Sequence, residues 1–352
     1  MSIIDKPSDY FNTKLYSGTG SELALTGVGF APNWIWIKHR NEANPHKIFD
    51  TVRGVGKSLK SNSTDVEASN EENGYVSAFG SDGFTLVGGS TSSNDVNKSS
   101  GSYVAWNWKA ETSFTNDASG TGIGSIDSAG SFNNDSGFSI VSYTGTGSAG
   151  TIKHGLNSKP QVIFVKARTG DTNWGTYHEI LGNTKFMRLN QTNAAETEAT
   201  FWNSTTATSS VFSVGSNIVT NWNTKTMIAY CFAEKKGYSK FSSYVGNGSN
   251  DGVFCFTGMK PSFVMRKKSS GVENWTIHDN KRDTHNVTFK RLLANDSGAE
   301  YTSASNQVDL LSNGFKCRAS NDGSNASGET YIYMAFAENP FVSSTGVPAT
   351  AR

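Results

Sequence analysis

The 352-residue chain carries 31 Lys and Arg against 30 Asp and Glu, a formal net charge of +1, with 17% charged residues overall. That balance excludes duplex nucleic acid as the main partner, because neutralising phosphates requires a basic excess or a basic face, and no apolar run approaches the roughly 18 residues of a membrane-spanning helix. With 36 Gly and 12% aromatic residues, the chain is neither helical in composition nor disordered, since aromatic and β-branched residues suffice to build cores.

In chain order, Met1 to Tyr10 lacks a basic stretch followed by an apolar one. No signal peptide is read, and synthesis in a cytoplasm is expected. Residues 1–10 are expected to be a docking segment ahead of the first strands. Residues 11–110 then show a succession of landmarks. They open with Tyr16-Ser17-Gly18-Thr19-Gly20-Ser21 and continue to Pro32 and the apolar strand 34–37, which ends in Lys38. Ile48-Phe49-Asp50-Thr51-Val52-Arg53, Leu59-Lys60-Ser61-Asn62 and Ser81-Asp82-Gly83-Phe84 follow, and Tyr103-Val104-Ala105-Trp106-Asn107-Trp108 closes the set. Residues 111–137 are almost entirely Ser, Thr, Gly, Asn and Asp. Such a composition cannot bury a core and reads as a flexible or surface-hugging linker.

The landmarks return over 138–236. Tyr143-Thr144-Gly145-Thr146-Gly147-Ser148 leads to Pro160 and a strand ending in Lys166, and Met227-Ile228-Ala229-Tyr230-Cys231-Phe232 closes the set. This stretch has Trp174 to His178 where the first has its Asp and Arg, and Phe212-Ser213-Val214 as a weaker turn. They return again over 237–341. Tyr244-Val245-Gly246-Asn247-Gly248-Ser249, Pro261 to Arg266, Ile277 to Arg282, Leu293-Ala294-Asn295, Ser312-Asn313-Gly314-Phe315 and Tyr333 to Glu338 keep the same order. The tyrosine-to-proline spacing is 16, 17 and 17 residues, which sets coincidence aside. Residues 342–352 form a polar tail containing Pro348, expected to be extended.

Strand candidates such as 138–143, 162–165, 263–265 and 331–336 are short and separated by Gly, Asn, Asp and Ser turns. Helical periodicity is confined to single turns near 197–200 and 295–300. The predicted fold is all-β: three tandem antiparallel β-sandwich repeats, jelly-roll or lectin-like, of about 100 residues each. Lys236-Gly237-Tyr238 is too short a joint to let the second and third repeats separate.

Chemistry is sparse. His39, His46, His154, His178, His278 and His285 show no zinc-binding spacing, and His278, beside Asp279, reads as a strand-end histidine satisfied by its neighbours. Cys231, Cys255 and Cys317 lie in apolar runs and read as reduced core residues. Asn133-Asn134-Asp135 and Asn321-Asp322-Gly323 offer oxygen ligands for calcium without the EF-hand spacing, and such residues also simply make turns. No metal or cofactor is assigned. Gly54-Val55-Gly56-Lys57-Ser58 is not a phosphate loop, because Thr51 stands where its first glycine belongs. No G-x-S-x-G elbow occurs, and no catalytic residue is assigned. Asp50 with Arg53, and Asp279 with Arg282, read as structural ion pairs that pin a loop. The polar, aromatic surface inventory suits sugars or protein interfaces. Trp174, Trp202, Trp222 and Trp275 are the candidate exposed platforms, with core packing as the competing reading for each.

Asp9-Tyr10-Phe11-Asn12-Thr13, Tyr244 to Ser249, Ser81-Asp82-Gly83-Phe84-Thr85-Leu86, Tyr103-Val104-Ala105-Trp106 and Ala335-Phe336-Ala337-Glu338-Asn339-Pro340-Phe341 together resemble tandem repeat modules of bacteriophage virion proteins, especially those of marine phages. The resemblance covers nearly the whole chain, and the 138–236 copy departs from it most. It implies a non-enzymatic virion protein, a tail or tail-fibre component mediating attachment to the host cell surface. The alternative is a capsid decoration, cement or head-fibre protein. The implied partners are other virion proteins of the tail, adaptor or capsid, and a host surface glycan, with no nucleic acid and no membrane insertion. Family habit implies a homo-oligomer, with a trimer favoured. The segment from Ser2 to Phe11 and the tail from Asn339 are the expected docking elements, whose removal is expected to spare folding.

Overall fold

Three alternating apolar strands decide the architecture. In Trp34–His39 every side chain is buried. Trp34 and Trp36 point into one core while Ile35 and Ile37 point into another, the period of two that a strand imposes. Val162–Ala167 divides likewise, Val162 and Phe164 against Ile163 and Val165. So does Met259–Lys268, with Phe263 and Met265 on one side and Val264 on the other. Each strand therefore lies in a sheet covered on both faces.

The computed structural model describes residues 3–89, 95–304 and 306–350 and is all-β, with antiparallel sheets throughout. Sheet I runs in the order Phe11–Ser17, Ser102–Trp108, Trp34–His39, Lys47–Asp50. Sheet II contains Phe138–Thr144, Thr226–Phe232, Val162–Ala167 and Gly175–His178 in succession, continued by Lys185–Arg188 and Glu196–Thr197. Sheet III runs Ser239–Val245, Thr330–Pro340, Met259–Lys268, Thr276–Asp279, Lys290–Leu293, Tyr301–Thr302. Three smaller sheets cover their outer faces. They are Leu23–Leu25, Gly83–Val87 and Tyr75–Gly80; Gly150–Lys153 and Val211–Val214; and Phe254–Phe256, Gly314–Cys317 and Val308–Leu311.

The inner faces of sheets I, II and III meet in one central aromatic core. Trp34 lies 4.8 Å from Tyr230 and 5.6 Å from Phe138 by ring centroids. Phe11 lies 5.1 Å from Phe336, and Phe232 lies 5.9 Å from the same ring. Separate cores fill the space between each large sheet and its outer sheet. Cys231, Cys255 and Cys317 are free and buried in these outer cores.

Three expectations need correction. Residues 111–137 are not a flexible linker: Thr112–Asn116 and Ser128–Asn133 pair with each other and extend sheet II beyond Phe138–Thr144. Gly130 permits the close approach, since a Cβ there would sit 2.0 Å from the Ile140 carbonyl oxygen. A backbone ladder needs no apolar side chains, so a Gly/Ser-rich segment can add to an edge. The expected single helical turn near 197–200 exists as Ala199–Trp202, but none forms at 295–300.

The ends of the chain, finally, are not free of the body. Ile4 and Tyr10 pack on the central core, the Ile4 N–H donates to the Lys236 carbonyl, and Asp5 accepts the Ser344 N–H at 2.7 Å. Asn339 and Pro340 belong to the last strand of sheet III, and the tail folds back through a bridge between Val342 and Pro348.

Candidate functional site

The glycine-spaced loops after Tyr16, Tyr143 and Tyr244 share one set of bonds. The three tyrosine hydroxyls donate to the carbonyls of Val96, Thr220 and Ser324. The next residues, Asn97, Asn221 and Asn325, are fully buried amides. Their Oδ1 atoms accept the N–H groups of Thr19, Thr146 and Asn247 at 2.8, 2.7 and 3.0 Å. Their Nδ2 atoms donate to the carbonyls of Ser21, Ser148 and Ser249. The motif fixes a loop. Sequence reading missed these asparagines because Asn is common in every loop of this chain.

Two buried charge clusters lie where the large sheets meet. Asp50 and Arg53 form an ion pair with both side chains fully buried, as do Asp279 and Arg282. Asp50 accepts the Tyr230 hydroxyl from sheet II at 2.7 Å, and Asp279 accepts the Trp106 indole N–H from sheet I at 3.1 Å. Arg53 reaches Glu67, which grips Arg168 through two bonds of 2.8 and 2.9 Å. Arg282 reaches Glu300, which grips Arg40 through bonds of 2.9 and 2.8 Å. Each chain of four charges is neutral overall. Burial pushes the Glu300 carboxyl up, but Arg40 and Arg282 outweigh it and hold it below its usual range. Each Asp/Arg pair joins two sheets as well as bonding within its own loop.

The corresponding joint between sheets II and III has none of these charges. His178 faces Val162 in the ladder as Asp50 faces Trp34 and Asp279 faces Phe263. Met334 holds the place of Trp106 and Tyr230, and cannot donate. His178 Nε2 instead lies 3.3 Å from the Tyr333 carbonyl. The backbone contact is kept at all three joints. Glu67, Ala195 and Glu300 donate their N–H groups to Arg168, Ser269 and Arg40 at 2.8, 2.9 and 2.6 Å. Ala195 and Ser269 have no charge with which to form the clamp.

Three of the four candidate platforms are core residues, the competing reading for each. Trp174, Trp202 and Trp275 are 0%, 1% and 3% exposed. Trp174 and Trp275 span joints, donating to the Lys60 and Arg188 carbonyls at 2.8 and 2.9 Å. His46, which precedes strand Lys47–Asp50 as they precede theirs, faces the Leu293 backbone. Trp222 alone is half-exposed, with Lys225 Nζ 5.5 Å from its ring centre and Gly170 leaving room for the ring. His278 is buried, with Nδ1 3.3 Å from Thr288 Oγ1, and burial holds its pKa well below the usual value.

Lys267, not Arg266, answers Lys38 and Lys166: each lies six residues after its proline, Pro261, Pro32 and Pro160, and each faces the equivalent position of the neighbouring strand. These three buried lysines donate to carbonyls of the turn that follows, His39, Ala167 and Lys268 among them. Among the described residues no group of three or more His, Cys, Asp or Glu side chains is placed to hold a metal. A groove of about 710 Å³ lies where both ends of the chain meet sheet III, beside Ile3, Phe256 and Phe341.

Fold and site together define an all-β protein in which buried polar groups hold the large sheets to one another at their joints and fix the loops between strands. The chain belongs to the family described as Domain of unknown function (DUF7483), whose sequence model matches residues 6–340. No curated protein and no solved structure matches it.

Proposed function

We propose that the chain is three copies of one antiparallel β-sandwich unit, closed into a ring, and that it serves as a non-enzymatic structural protein on the surface of a phage virion. The observation that carries the first part is cyclic. The same backbone bond links sheet I to II through Glu67, II to III through Ala195, and III to I through Glu300. Each large sheet also keeps the order first strand, last strand, second, third. The virion reading rests on the resemblance of these landmarks to phage repeat modules, and a rigid closed body made without disulfides suits a particle component.

Two placements follow. Attachment at a tail or tail fibre calls for exposed contacts with a host glycan, and burial of Trp174, Trp202 and Trp275 leaves Trp222 alone of the four candidate tryptophans for a platform, besides the exposed Phe254, Phe256, Phe289 and Tyr301. Capsid decoration or a head fibre asks only for a rigid body and a docking surface, and that burial favours it. Immunogold labelling of purified particles with antibody to the protein separates them. Label over the head supports decoration, label at the tail restores attachment, and unlabelled particles overturn the virion reading.

A further inference from the structure

The outer sheets differ at one edge. Beside sheet II, strand Gly150–Lys153 is covered by the chain itself. Ser125 and Ile126 donate their N–H groups to the Thr151 carbonyl at 2.8 and 3.1 Å, and the Thr151 N–H donates to Ser125 Oγ at 2.9 Å. Ile126 bridges Ile152 in parallel and buries its side chain in the adjacent core. Phe254–Phe256 holds the equivalent place beside sheet III, with Cys255 opposite Phe315 as Ile152 is opposite Phe212. The Cys317 N–H donates to the Val253 carbonyl at 3.0 Å. In an antiparallel ladder the next residue, Phe254, therefore turns its N–H and carbonyl away from the sheet. Among the described residues no strand pairs with that side. Phe254 is 42% and Phe256 59% exposed, and Phe256 opens onto the groove beside Phe341 and Val342.

An open edge flanked by two exposed aromatics is a template for another strand. We propose that Phe254–Phe256 is a strand-addition site for an extended segment of a partner polypeptide. The segment runs parallel to it, donates successive N–H groups to the Phe254 carbonyl, sets an aliphatic side chain on the Cys255 side as Ile126 lies beside Ile152, and covers the rings with the residues to either side. The occupant's chemistry is read from this molecule, where Ser125–Ile126 fills the equivalent place on Gly150–Lys153. The site does not depend on the virion reading.

The test is hydrogen exchange at residues 253–257 of the full chain, with a synthetic peptide of its own residues 122–128 as probe. A control peptide carries Ile126→Pro, which removes one donor. Saturable slowing at the Phe254 amide with the probe, absent with the control and weakened several-fold in a Phe256→Asp protein, is expected. Phe256 is exposed, so that variant keeps the fold, and a second exposed change, Phe254→Lys, checks it. No slowing at any peptide concentration, or equal slowing with the control, overturns the site. Slowing that grows with protein concentration alone also overturns it, because the occupant is then a second copy.

Discussion

Asn97, Asn221 and Asn325 each hold a glycine-spaced loop with a buried amide that both accepts and donates. Truncating such a group leaves the loop N–H and carbonyl without partners. Asn325→Ala is expected to lose about 2–3 kcal/mol, read as a lower urea midpoint with an unchanged m-value. Phe11 is a sharper case, being 2% exposed and sandwiched between Trp108 and Phe336. Phe11→Ala is expected to cost roughly 3–5 kcal/mol in the same assay. Removal of residues 2–11 is thus expected to compromise folding, contrary to a purely docking role for that segment. The tyrosines and glycines of these loops were visible in sequence as a repeated pattern. Their asparagine partners lie about 75 to 80 residues away in a chain full of Asn, so only the fold could single them out.

Between elements, the joints follow a consistent rule. Asp279, Arg282, Glu300, Arg40 and Trp106 act as one set at the joint of sheets III and I, and the joint of II and III has none of it. Removing one partner of a buried pair costs about 3–5 kcal/mol, whereas replacing a whole buried set with apolar groups is often neutral. Asp279→Asn is expected to fall in that range. The combined change of Asp279→His, Arg282→Leu, Glu300→Ala, Arg40→Ser and Trp106→Met is expected to cost far less than the sum of its parts, measured by denaturant unfolding of the single and combined variants. The two Asp/Arg pairs were legible because they recur three residues apart. Their partners Glu67, Glu300, Arg40 and Arg168 were not, since each joins segments remote in sequence. The hairpin formed by Thr112–Asn116 and Ser128–Asn133 escaped for another reason: apart from Phe114 and Phe132, which pack on the adjacent core, it joins the sheet by backbone pairing, which composition does not report.

At the scale of the whole molecule, buried histidines set the acid limit. Burial brings His154 and His178 down to about 4. The unfolded chain protonates them near 6.5 while the folded chain does not, so stability is full above pH 6.5 and falls as pH drops toward 4. The expected slope is roughly 1.4 kcal/mol per pH unit for each histidine, and His178→Gln should flatten it in thermal melts between pH 7 and 4.5. Lys38 and Lys166, lowered by burial to about 8, act at the other end. The folded chain gives up their protons before the unfolded chain does, so their burial cost is relieved as pH rises from about 8 toward 10.5.

The all-β class and the order of the landmarks could be read from the turn residues and two-residue periodicity. Closure could not, because Trp174 and Trp275, which span two of the joints, were open to both a platform and a core reading in sequence. If the central core and the three joints make one ring, the units cannot unfold separately. Differential scanning calorimetry of the full chain at neutral pH tests this directly. A single transition whose calorimetric and van't Hoff enthalpies agree is the predicted result, and two or more resolved transitions would contradict it.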